Sequence, residues 1–159
     1  MVKVLATRLR PDAVLPRRMT KEAAGFDLTA ADDVIVRNTN VDKNASIVHT
    51  GISLRIPAGY VGKIFLRSST GLYTKLRLAN GTGIIDSDYH DEILLLVENH
   101  ARAPQAIHKG DRIAQILFEK VEDVEVECDL PTTDKDEPKS AEKPHKGFGS
   151  TGRKAKNDK

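Results

Sequence analysis

Apolar residues in this chain recur at the two-residue period of β-strands. Ile52, Leu54 and Ile56 alternate with Ser53 and Arg55, and Pro57-Ala58-Gly59 follows as a turn. Short apolar runs at residues 34–36, 60–66, 92–97, 112–121 and 124–126 predict further strands. Turn signals separate them: Asn38-Thr39-Asn40, Asn80-Gly81, Asn99-His100 and Lys109-Gly110-Asp111. Helical periodicity is nearly absent; residues 20–24 predict at most one short helix, ended at Gly25. Many short strands with regular turns predict an all-β domain over residues 1–131, a jelly-roll-like β-sandwich or barrel.

The pattern changes after residue 131. Residues 132–146 lack large apolar side chains and are rich in Asp, Glu, Lys and Pro, the composition of a flexible tether. Extended, such a segment reaches roughly 50 Å. It leads to Gly147-Phe148-Gly149-Ser150-Thr151-Gly152 and a short basic end at 153–159. The spelling GxGxxG belongs to dinucleotide-binding loops, but those join a strand to a helix, and neither flank here allows one. Arg153 also stands where a P-loop needs lysine. A flexible C-terminal tail with glycines, two hydroxyls and one aromatic ring suits a flap over a ligand with a flat face and phosphates.

Composition narrows the partners. The 159 residues carry 25 basic and 23 acidic side chains, closely interspersed, for a net charge of +2. That balance gives no reason to expect a nucleic-acid surface. Aromatics are 4 % with no tryptophan, which argues against base-stacking platforms. No apolar run approaches the ~20 residues of a membrane span. A single cysteine forbids an internal disulfide and favours an intracellular, cytoplasmic protein, with nuclear residence left open.

Three segments carry polar chemistry. In Gly83-Ile84-Ile85-Asp86-Ser87-Asp88-Tyr89, two carboxylates follow an apolar pair. Such a carboxylate can act as general base, hold a cation, or merely sit in a solvated turn. Arg67-Ser68-Ser69 follows a predicted strand, and reads as an anion cradle or as turn caps. Asp27, between Phe26 and Leu28, faces outward if they face the core, and is then a solvated carboxylate. Gln115 shares a strand face with Ile113 and Leu117, so it is either partly buried and hydrogen-bonded or part of a site. The histidines show no metal-ligand spacing.

Taken in order, these segments resemble the five motifs of the homotrimeric dUTP pyrophosphatases (dUTPases). The first is Ala24-Gly25-Phe26-Asp27-Leu28 and the second Arg67-Ser68-Ser69. The third runs from Gly83 through Tyr89, with Glu92 beyond. The fourth is Gly110-Asp111-Arg112-Ile113-Ala114-Gln115, and the fifth Gly147 through Gly152. The resemblance implies a homotrimer with three shared active sites that hydrolyses dUTP to dUMP and pyrophosphate, assisted by Mg²⁺. It implies Asp86 as general base and Asp27 as a contact to the ion through water. Arg67, Ser68, Ser69 and Gln115 would hold the α- and β-phosphates. Asn80 and the backbone from Gly83 to Ile85 would read uracil in a narrow hairpin, and Tyr89 would pack beneath the deoxyribose. Phe148 would stack on uracil, with Ser150 and Thr151 on the γ-phosphate.

Several positions depart from the family pattern. His90-Asp91 replaces the common Arg-Gly after Tyr89. Lys143 stands where the tail's phosphate-binding arginine belongs, keeping the charge without the bidentate fork; Lys146 could assist. Two rivals share the resemblance. A dCTP deaminase would need a glutamate where this chain has Leu96, with Glu98 two positions beyond. A regulatory binding module of the same fold would not need Asp86, Gln115 and a complete glycine-rich tail.

Overall fold

The computed structural model describes residues 2–126. Their elements run β1 (Leu5–Arg8), β2 (Phe26–Thr29), β3 (Val34–Val36), β4 (Ser46–Arg55) and β5 (Tyr60–Leu66). There follow α1 (Ser68–Tyr73), β6 (Leu76–Leu78), β7 (Gly83–Ile85), β8 (Glu92–Asn99), β9 (Gln105–Ile107) and β10 (Arg112–Lys120). One sheet has the order β1-β4-β8-β6, a second β2-β10-β5-β7, and β3 pairs with β9. Every strand ladder is antiparallel. The result is the expected jelly-roll-like sandwich.

The core lies between the two larger sheets. β8 alternates strictly, turning Ile93, Leu95 and Val97 inward beside Val48, Ile52 and Leu54 of β4. Leu28, Ile64 and Ile116 face them from the other sheet. Each fully buried aliphatic side chain of this kind stabilises by about 1.5–3 kcal/mol. The small sheet covers one end through Val36 and Ile107, and fully buried Asn99 fastens it there. The Asn99 amide donates to the carbonyls of Val36 (3.0 Å) and Ala103 (2.9 Å), and its oxygen accepts from Ala101 N–H (2.8 Å). A buried amide with its groups paired orders the end of β8.

Two local expectations need correction. Residues 20–24 form a turn, not a helix, with Ala23 N–H on the Thr20 carbonyl at 3.2 Å. The only helix among the described residues is α1, anchored by buried Thr70, whose hydroxyl donates to the Ile113 carbonyl at 3.0 Å. A tertiary bond, not local propensity, makes that turn. Residues 124–126 are outside any strand; Val124 and Val126 are 77 % and 95 % exposed, with nothing in the described chain to cover them.

Charged groups tie the loops at one end of the sandwich. Arg10 bonds Asp12 (3.2 Å) and Asp32 (2.6 Å), and Lys109 also reaches Asp12. Hydrogen bonds from Lys109 and Arg10 hold the Asp12 carboxyl down at about 2, and Arg10 lowers that of Asp32. A carboxylate whose folded pKa is lowered contributes stability above its unfolded value of ~3.9, lost as pH falls through the folded one. Acid titration should therefore weaken the fold between about pH 4 and pH 2, and more steeply in low salt because the groups are exposed. Asp12→Asn should flatten that part of the curve in pH-dependent urea unfolding. A second expectation concerns Gly62 of β5, where an added Cβ would lie 2.9 Å from Ile116 Cδ1 and 3.0 Å from Ile56 Cδ1. Gly62→Ala should destabilise by about 1–3 kcal/mol through overpacking, read by chemical denaturation.

Candidate active site

The second sheet positions Asp27, Gln115 and Arg67. Gln115 of β10 lies between Asp27 of β2 and Phe65 of β5, so the three share one row across the strands. Arg67 comes two residues beyond Phe65, at the end of β5. Asp27 is 8 % exposed, contrary to the solvated carboxylate expected. Its two oxygens meet Arg67 Nε at 3.2 Å and Arg112 Nη1 at 3.1 Å. Arg67 also donates to the Arg112 carbonyl at 3.1 Å. The cradle is a carboxylate held between two guanidiniums.

Arg112 is the residue that period-two reading missed. The pairing shifts between Arg112, opposite Thr29, and Ala114, opposite Leu28, so Ile113 is an extra residue in β10. A bulge of this kind moves side chains across the sheet. Ile113 turns into the core at 6 % exposure instead of sharing a face with Gln115 and Leu117. Arg112 joins the face of Gln115 and Asp27. The sequence carried one signal, a polar run Lys109-Gly110-Asp111-Arg112 at the strand start, where bulges often re-aim side chains.

Arg67, Ser69, Tyr73 and Arg112 line a cleft of about 510 Å³. Ser68 is exposed at the first turn of α1. Gln115 packs on the backbone of Gly25, where an added Cβ would collide with Gln115 Oε1. Glycine is needed there for close approach.

Asp86 lies elsewhere. Ile85 pairs with Gly62, which puts Asp86 beside the start of β5 while Arg67 follows its end. Gly62 to Arg67 spans roughly 17 Å of extended chain. Asp86 is exposed and lines a separate cleft of about 820 Å³ with Tyr60, Val61, Lys63 and Lys120. The structure thus brings Arg67 together with Asp27 and Gln115, but not with Asp86.

Asn80 is exposed in the connection from β6 to β7. Those strands belong to different sheets, so the expected narrow hairpin is here a crossing between sheets. Gly81 takes the left-handed conformation at φ 69°, and Thr82 N–H bonds the Asn80 carbonyl at 2.7 Å. Gly83 and Ile85 are buried. Asp86 to Tyr89 forms a turn closed by Tyr89 N–H on the Asp86 carbonyl at 3.2 Å. Tyr89 is 7 % exposed, and its hydroxyl donates to the Glu92 carbonyl at 2.7 Å. Burial, with Asp91 and Glu92 nearby, raises its pKa above the ordinary value. Among the described residues no three His, Cys, Asp or Glu side chains cluster to hold a metal. None of their helices is long and apolar enough to cross a membrane. Lys143, Phe148, Ser150 and Thr151 lie outside the described residues, as do the expectations for the tether and tail.

The antiparallel sandwich thus carries paired arginines and hydroxyls at one end of β5 and a carboxylate turn beside the other. A family model described as dUTPase matches residues 12–152. The deoxyuridine 5′-triphosphate nucleotidohydrolase of fowlpox virus is 36 % identical over 154 residues, covering 97 % of this chain and all of that protein. The enzyme of the same name from Saccharomyces cerevisiae is 35 % identical over 151 residues, covering 94 % of this chain and 95 % of its own. The Staphylococcus bacteriophage 80alpha dUTPase shares the fold with a TM-score of 0.72 at 23 % identity, over 82 % of this chain and 98 % of that one. The chain belongs to the dUTPase family.

Two substitutions test the cradle. Asp27→Ala should destabilise by about 2 kcal/mol, because charge-assisted bonds to both arginines are lost; urea unfolding reads it. Gly25→Ala should leave the fold intact but displace Gln115, weakening triphosphate binding measured by calorimetry.

Proposed function

We propose that this chain hydrolyses dUTP to dUMP and pyrophosphate, at sites assembled between the copies of a homotrimer. Family membership supports the reaction. The observation that supports shared sites is the distance along β5 between Asp86 and Arg67. A base and a phosphate clamp acting on one α-phosphate must lie within a few ångströms of it. Roughly 17 Å of strand prevents one chain from supplying both. Partly exposed Val61, Phe65 and Leu117 on the outer face of that sheet offer apolar surface for neighbouring copies.

In this reading Asp86 takes a proton from water as its oxygen attacks the α-phosphorus. The bond from that phosphorus to the bridging oxygen breaks, and pyrophosphate leaves with the electron pair. Arg67, Ser68, Ser69 and Gln115 hold the α- and β-phosphates, and Arg112 supports Arg67 through Asp27. Asn80 and the backbone from Gly83 to Ile85 read the uracil edge, and Tyr89 packs beneath the sugar. Lys143, Phe148, Ser150 and Thr151 would come from the tail.

Mg²⁺ bound to the phosphates would supply charge neutralisation on the leaving group. Its fit rests on the donor set. Mg²⁺ retains waters and uses one or two carboxylates plus substrate phosphates. Asp27, already engaged by two arginines, suits a contact through water rather than direct ligation. In the phage phi11 dUTPase, which shares the fold at a TM-score of 0.69, a structural Mg(II) ion is coordinated.

Pyrophosphate release with dUTP, dTTP, dCTP and UTP, with and without Mg²⁺, tests the reaction. Rapid Mg²⁺-dependent turnover of dUTP alone is expected, with Asp86→Asn slower by about a thousandfold. Ammonia release from dCTP would instead identify a deaminase. Refolding Asp86→Asn and Arg67→Ala chains together tests sharing. Sites drawing base and arginine from different copies should recover about a quarter of the wild-type rate. No recovery would place both residues in one chain's site.

A further inference from the structure

We propose that Glu92 is a positioning residue that holds Tyr89 in place under the substrate sugar, and so sets the preference for deoxyribose over ribose. The proposal rests on the reading of Tyr89 as the floor of the sugar site. It gives Glu92 a role through bonds at both ends of the residue.

β4 and β8 fall out of register opposite the start of β8. His49 faces Leu94 and Ser53 faces Glu92, so β4 carries extra residues between them. Gly51, at φ 68°, sits in that irregularity and has no register partner in either of β4's ladders. The Glu92 carboxylate fills the gap. Oε1 accepts Gly51 N–H at 2.7 Å, and Oε2 meets His49 Nδ1 at 2.9 Å. A charged acceptor on a backbone N–H makes one of the stronger hydrogen bonds available. Glu92 is also the first residue of β8, where a strand would otherwise fray. Its carboxylate pins that first residue to β4.

The backbone carbonyl of this pinned residue is the acceptor for the Tyr89 hydroxyl, at 2.7 Å. The chain of contacts runs Gly51 and His49, Glu92 carboxylate, Glu92 carbonyl, Tyr89 hydroxyl. The Tyr89 ring is packed in the core cluster, so a shift of its acceptor would move the ring and, in the proposed site, the face it offers to the sugar. A displacement of about 1 Å at such a surface is enough to alter catalysis or selection substantially.

The test compares kcat and KM for dUTP and UTP. Glu92→Ala should lower the preference for dUTP about tenfold, the effect of one weakened hydrogen bond, chiefly by raising the KM for dUTP. Glu92→Gln keeps an oxygen for Gly51 N–H and should restore the preference to within about twofold. Tyr89→Phe removes the hydroxyl, and Glu92→Ala added to it should cost little more, because the two act in series. An equal fall in kcat for both nucleotides with unchanged preference, or additive effects of the two substitutions, would overturn the proposal. His49→Ala, which leaves the Gly51 bond, covers the case in which Glu92→Ala does not fold; it should lower the preference about threefold, and no change would count against the proposal.

A second readout needs no nucleotide. The chain has three tyrosines and no tryptophan, and Tyr73 is 81 % exposed. Near-ultraviolet circular dichroism therefore reports mainly on Tyr60 and Tyr89. Glu92→Ala should reduce it while the far-ultraviolet spectrum is kept. An unchanged tyrosine signal would refute the clamp even in an active enzyme. A reduced signal in a protein that ignores dUTP would uphold the clamp and discard the proposed substrate.

Discussion

An extended strand cannot bring its own ends together, and β5 carries different chemistry at each end. Arg67 follows its last residue, while Asp86 sits beside its start because Ile85 pairs with Gly62. Bending β5 would break its ladders to both β10 and β7. The core packs closely behind it, with the ends of Ile116 and Ile56 against Gly62. The same rigidity that keeps cradle and carboxylate apart in one chain fixes each of them with little freedom. If neighbouring copies close the gap, they meet two preformed half-sites.

Irregularities in pairing aim the polar groups. In β10 the extra residue Ile113 drops into the core and brings Arg112 beside Asp27. In β4 the extra residues leave Gly51 N–H for the Glu92 carboxylate. Regular ladders elsewhere leave side chains in strict alternation, as in β8. The two departures therefore set the partners of Arg112 and Glu92; in a regular β10, Arg112 would fall on the core face with Ala114 and Ile116. Both are local, because the fully buried aliphatic residues around them hold the sheets in position.

Much of this was legible in the sequence, and the failures have physical causes. Residues 60–66 and 112–121 read as strands because half-buried strands alternate. β1 escaped because an edge strand with four exposed residues has no apolar period. β6, β7 and β9 have three residues each and mix a polar residue or glycine with apolar ones, unlike the all-apolar β3. Helix α1 depends on a hydroxyl reaching Ile113, far along the chain. At the site, Arg67, Gln115 and Asp86 stood out by residue type and motif order. The burial of Asp27 and the recruitment of Arg112 did not, because both follow from a one-residue slip in register that composition cannot record.

The Asp27 carboxylate offsets part of the positive charge of Arg67 and Arg112, so the cradle is a mixed-charge group rather than a bare positive patch. A small monovalent anion entering it must compete with a carboxylate already in contact, and brings nothing to replace what Asp27 loses. A polyphosphate accompanied by a divalent cation offers the arginines new oxygens and the carboxylate a new positive partner together. Under the proposed function, such a cradle would act as an ion exchanger that discriminates by valence, favouring a metal-chelated chain of phosphates over simple salts.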